Sequence, residues 1–200
     1  MNHQNFFTGL EDTFKTISKH VEIDVQNYHT YSGEIDSLYM SSASEFEVVS
    51  KDLCKVLDPQ KEAKNIEDIY EVFHDKCPDI LNEIISIRKY GLSIKPFENW
   101  TSDVRPDWWV HYNKVKHNRT GNSEKANLGN LINTLSALQI VNYYLVWKRD
   151  CPTKSRLAPP LKMSSHPDIF TMKDVNYSGP FLSDDVFDDV PRAAAESDTE

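Results

Sequence analysis

The segment Trp108-Trp109-Val110-His111-Tyr112-Asn113-Lys114-Val115-Lys116-His117-Asn118-Arg119 gathers three aromatic rings, two histidines and three cations into twelve residues. Pro106 suits the first turn of a helix and Gly121 stands beyond its end, so the segment predicts a helix over about 106–118. At about 100° per residue, Trp108, His111, Tyr112, Val115 and Arg119 fall on one side. Trp109, Val110, Asn113, Lys116 and His117 fall on the other. A tryptophan on each side predicts either the central helix of a bundle or a helix whose second face lines a cleft or subunit contact.

The neighbouring segments extend the helical pattern. Downstream, Ser123 and Glu124 open a long helix over Lys125 to about Arg149, with Leu128, Leu131, Ile132, Leu135, Leu138, Asn142 and Leu145 on one face. Lys148 and Arg149 close it, where cations favour the helix dipole, ahead of Pro152. Upstream, Ile85 and Ile87 before Gly91, then Leu92 and Ile94, alternate with polar residues and predict a short hairpin closed by Pro96. A helix from about Asn65 to His74 carries Ile66, Ile69, Tyr70 and Phe73 on one side.

The longest regular pattern starts at Ser32, an N-cap, and runs through Ile35, Leu38, Tyr39, Ser42, Phe46, Val49, Leu53, Val56 and Leu57 to Pro59. Before Tyr31 the pattern is mixed. Phe6, Phe7, Leu10, Phe14 and Ile17 keep helical spacing, whereas Val21, Ile23 and Val25 alternate like a short strand. The fold class is all-α: a bundle of four to five helices spanning 1–150, with a short hairpin. Residues 151–182, rich in proline and with anchors at Leu157, Phe170 and Phe181, predict an extended segment packing on the bundle. Residues 183–200 predict an acidic disordered tail.

Composition narrows the function classes. Net charge is -9, of which the segment from Asp184 onward carries -6, so the body is nearly neutral. Arg105 to Lys125 holds five cations against Asp107 and Glu124, a locally basic stretch that permits phosphate contact. No run of about 18 apolar residues occurs, so no membrane span is expected. Cys54, Cys77 and Cys151 are scattered, and Met1-Asn2-His3-Gln4-Asn5 starts no secretory signal, which together predict a reducing, cytoplasmic setting. No histidine or cysteine stands at metal-ligand spacing, so neither metal nor cofactor is expected.

Asn113 and His117 are four residues apart and neighbours on one helix face, where imidazole is well suited to proton transfer near neutral pH. With Lys116 they form the candidate catalytic set for RNA cleavage without a metal, and Arg119, Lys114 and Tyr112 are candidate substrate-binding residues. The same residues also fit structural roles. Asn113 and His117 could satisfy each other in the interior. Arg119 could form a buried ion pair, with Glu45 on the flank of the first long helix as the expected partner and Glu34 and Asp52 on the same flank. Trp108, Trp109 and Tyr112 could be core or interface aromatics.

Tyr112-Asn113-Lys114-Val115-Lys116-His117 resembles the Arg-Asn-x-x-x-His motif of HEPN domains, with Tyr112 where that family carries its Arg. A closer resemblance is to uncharacterised bacterial HEPN-like proteins bearing a Trp-Trp-x-x-Tyr-Asn-x-x-Lys-His-x-Arg segment. These also have counterparts of Tyr31-Ser32-x-Glu34 and Ser44-Glu45. The resemblance covers about residues 10–148. It implies an up-and-down helical bundle with the motif on the penultimate long helix, and a homodimer whose two motifs meet. It also implies a role on RNA in bacterial defence or toxin–antitoxin systems. Ribonuclease activity, with Lys116 or Arg119 standing in for the missing Arg, and a non-catalytic module that binds a cognate antitoxin or defence protein both remain open.

Overall fold

The computed structural model describes residues 3–150, 167–173 and 175. Five α-helices are seen among them: α1 (His3–Ile17), α2 (Gly33–Leu57), α3 (Ile66–Lys76), α4 (Asp107–His117) and α5 (Leu128–Asp150). Three short strands accompany them: β1 (Ile85–Ile87), β2 (Leu92–Ile94) and β3 (Thr171–Met172). The chain is mostly helical, as expected. None of the described helices is long and apolar enough to cross a membrane.

Local chemistry sets the helix boundaries. Ser32 accepts from the Ile35 N–H at 3.2 Å, and Glu34 and Asp36 in the first turn of α2 favour the positive end of its dipole. Asn65 and Asp68 close α3 with a reciprocal capping box. The first N–H groups of α5 are taken by a neighbouring segment: Leu128 donates to the Thr30 carbonyl at 2.8 Å and Gly129 to Tyr28 at 2.9 Å. Gly129 lets the two segments approach closely, since a Cβ there would lie 3.0 Å from the Tyr28 Cβ and crowd that side chain.

The apolar stripe of α2, Ile35 to Leu53, packs chiefly against α5. From Thr134 to Leu145 every residue of α5 is buried, so α5 and not α4 is the helix enclosed on all sides. It starts later than the sequence pattern indicates, because residues Thr120–Lys125 form a 3-10 stretch around a kink at Asn122. The alternation at Val21, Ile23 and Val25 does not become a strand. Ile23 is buried alone, and Val25–Asn27 is a short 3-10 turn capped by Asp24.

β1 and β2 pair antiparallel with Ile85 opposite Ile94, joined through Arg88–Tyr90 and Gly91 at φ 66°, where only glycine is unstrained. The expected hairpin is therefore present, but it is two strands of three: β3 pairs with the free side of β1, Met172 opposite Ile85. The part of the expected C-terminal segment described here, 167–173, lies on the bundle. Residues 151–166 and the acidic 183–200 lie outside the described residues.

This strap is held by an acid that reads as a surface residue in sequence. Glu11 is only 2% exposed, and its carboxylate accepts from the backbone N–H of Asp168 (2.9 Å), Ile169 (2.8 Å) and Phe170 (3.0 Å). The Phe170 ring meets Phe14 edge-on at 5.1 Å and Phe7 at 6.3 Å. Lys15 bonds Asp168 at 2.6 Å and Asp12 at 2.8 Å, and both carboxylates raise its pKa. Glu11→Ala leaves three backbone donors without their acceptor and should lower stability in urea by about 3 kcal/mol. The same variant should speed amide exchange at 168–170. Unchanged exchange there would show that the carboxylate does not hold the strap.

Candidate functional site

The site is built on α4, and its aromatic residues decide how the helix is turned. Trp108, Trp109, Tyr112 and Val115 are all buried. Phe46 of α2 meets Trp108 edge-on at 5.0 Å and Trp109 at 5.9 Å, and Tyr39 meets Tyr112 at 6.4 Å. The buried Tyr39 hydroxyl donates to the Trp108 carbonyl, and burial pushes its pKa well above the usual tyrosine range. Trp108 Nε1–H donates to the Pro96 carbonyl at 2.8 Å. The two tryptophans thus share one face rather than occupying opposite ones. Adjacent residues are about 100° apart, and a core-facing arc is at least that wide.

With that arc inside, Val110, Asn113, Lys114 and His117 face away from the core. Together with Arg105, Asn118 and Asn122 they line an open depression of about 410 Å3. His117 is exposed and Asn113 half-buried, so the two are on an accessible surface and not in the interior. The Asn113 amide donates to the Trp109 carbonyl at 2.9 Å, which fixes its orientation and leaves its Oδ1 as the atom available to a ligand. Asn122 Nδ2–H reaches the Asn118 carbonyl at 2.9 Å and the Lys114 carbonyl at 3.3 Å, closing the end of α4 beside His117.

The charged residues that line the depression, Arg105 and Lys114, are both cations. Arg105 is paired with Glu67, whereas Lys114 is exposed. Lys116, grouped with His117 in the sequence, lies elsewhere: its ammonium sits 5.3 Å from the centre of the Tyr112 ring. Tyr112 is 2% exposed and belongs to the core, so it offers no surface to a substrate. A core ring therefore fills the position where the HEPN motif has its Arg.

Arg119 is bound to Asp36 of the first turn of α2. That acid replaces Glu45, Glu34 and Asp52 as the partner. Glu45 instead accepts from His3 at 2.7 Å, on the flank of α2 that meets α1. The second Asp36 oxygen is buried without a partner, so Arg119 is the group that compensates this carboxylate.

His111, placed by the helical wheel on the aromatic side, instead borders a separate cleft with Asp107. Spacing alone carries no signal for it, because its cleft is completed by residues distant in sequence. Cys54 is buried, which pushes its thiol up to about 12 and leaves it no thiolate for nucleophilic chemistry. Among the described residues no group of three or more His, Cys, Asp or Glu is placed to hold a metal ion.

These placements separate two residues that lie close in sequence. His117→Ala should leave stability in urea within about 0.5 kcal/mol of the parent. Arg119→Ala should cost about 1–2 kcal/mol, less than a fully buried pair because the guanidinium is largely in solvent. Equal effects of the two would contradict the placement. No known protein family, curated protein or solved structure matches this chain.

Proposed function

We propose that the chain is an HEPN-like protein that acts on single-stranded RNA through the Asn113/His117 face of α4, as a homodimer in which two such faces meet. The observation that carries this reading is an exposed imidazole in a depression whose charged lining is cationic, on a chain whose net charge is -9. Lys114 would contact phosphate, and the Asn113 Oδ1 would orient a ribose hydroxyl. His117 would take the proton from the attacking 2'-hydroxyl or give one to the leaving 5'-oxygen, and a cation would steady the charge building on the phosphoryl oxygens. The cation nearest to this role is Lys114 rather than Lys116 or Arg119, which are turned to Tyr112 and Asp36. The setting implied by the resemblance is bacterial defence or a toxin–antitoxin pair.

A second reading, a non-catalytic module that binds a partner protein, is favoured by Val110. This residue places apolar surface in the depression beside an Asn113 whose amide is already committed to the helix. The two readings separate on labelled single-stranded RNA. The RNA reading expects binding whose salt dependence falls by about 0.7 in log–log slope on Lys114→Ala. It also expects any cleavage to disappear with His117→Ala while binding persists. The module reading expects no RNA binding and a dimer, or partner complex, broken by Val110→Glu. RNA binding that is absent, or present and indifferent to Lys114, contradicts the RNA reading.

A further inference from the structure

On the flank of α4 away from His117, a cleft of about 340 Å3 opens between Asp107 and His111, the start of α5, the Tyr28–His29 segment and residues 95–99. That size lies at the lower end of ligand pockets, about 300–1,000 Å3. One imidazole in it has a defined tautomer. Asn130 Nδ2 lies 2.7 Å from the Lys125 carbonyl oxygen and 2.9 Å from His111 Nδ1. The carbonyl only accepts, so it fixes that side of the amide as the NH2 group. His111 Nδ1 must then accept the second amide hydrogen, which leaves the ring proton on Nε2 as a donor.

The charges disfavour an anion. Lys95 stands against two carboxylates, Glu98 and Asp107, and none of the three is in an ion pair with a described residue. The N-terminus of α5 cannot bind phosphate, because its first N–H groups are already taken by Thr30, Tyr28 and the Asn127 side chain. The lining therefore suits an uncharged ligand that presents N–H donors to a carboxylate and acceptors to Lys95 and the His111 Nε2–H. The half-buried Tyr28, seated against Gly129, adds a ring on which a planar ligand can rest.

We propose that this cleft takes a guanine base. Guanine presents two adjacent donors, N1–H and the N2 amino group, that one carboxylate accepts together, with O6 and N7 beside them as acceptors. Adenine offers a single amino donor between two acceptors, and cytosine a single amino donor beside one acceptor. Glu98 takes the paired donors, and Lys95 and His111 take O6 or N7. The base can belong to a free nucleoside or to an unpaired nucleotide of an RNA. The second source rests on the RNA reading above.

Calorimetric titration of the full chain with guanosine, adenosine and cytidine tests the assignment, alongside single-stranded RNAs that contain or lack one guanosine. Guanosine should bind at least about tenfold more tightly than adenosine, and Glu98→Gln, at an exposed position, should remove that preference. Gly129→Ala, which crowds Tyr28, should weaken guanosine binding as well. A preference shown by the nucleosides and repeated by the RNAs supports the cleft as a base pocket for RNA. A nucleoside preference with no binding of either RNA supports the cleft but contradicts the RNA reading. Nucleosides bound alike or not at all, with RNA bound regardless of guanosine and of Glu98→Gln, overturn the base assignment and leave the RNA reading standing.

Discussion

The aromatic arc of α4 against α2 is the constraint from which the surface chemistry follows. Once Trp108 and Tyr112 are packed on Phe46 and Tyr39 and Val115 is buried beside them in sequence, the remaining residues of α4 have no rotational freedom. Asn113 and His117 must point outward, and Asp107 and His111 must fall on the flank. The Tyr39 hydroxyl bound to the Trp108 carbonyl and the Trp108 indole bound to Pro96 add direction to what would otherwise be nonspecific apolar contact. Two sites of different character therefore share one short helix. One is open and has only cations among its charged lining residues; the other is lined by both signs.

Much of the architecture was legible in periodicity, because burial repeats with the helix. α2 carries its N-cap and apolar stripe in plain view, and the hairpin alternates as strands do. The errors have physical causes. Two adjacent tryptophans look like opposite faces on a wheel divided in half, yet they fit within one wide buried arc. The same division grouped Lys116 with His117, although Lys116 follows Tyr112 by four residues and its chain can lie along that ring. Lys114 therefore takes the place beside His117 that the wheel gave to Lys116.

Long-range pairings were not legible at all. Asp36 binds Arg119 across eighty-three positions, and Glu45 was the plausible choice only because the position of α1 over its flank is unknown from sequence. Glu11 resembles any surface acid of an amphipathic helix until the 168–170 backbone is laid on it. β3 has only two residues and no periodic signal, and it exists because β1 offers an unpaired edge. The His111 cleft likewise assembles from segments around residues 28, 98 and 130, so no local motif announces it.

If, as proposed, the outward face of α4 meets RNA, its aromatic arc must remain core while it does so. Backbone amide and histidine side-chain NMR shifts, followed during titration with a short single-stranded RNA, address it directly. RNA contact at that face should concentrate the shifts at Val110, Asn113, Lys114 and His117, with the resonances of Trp109 and Val115 nearly still. Shifts absent from that face, or spread evenly through the buried arc as the bundle opens, would contradict it.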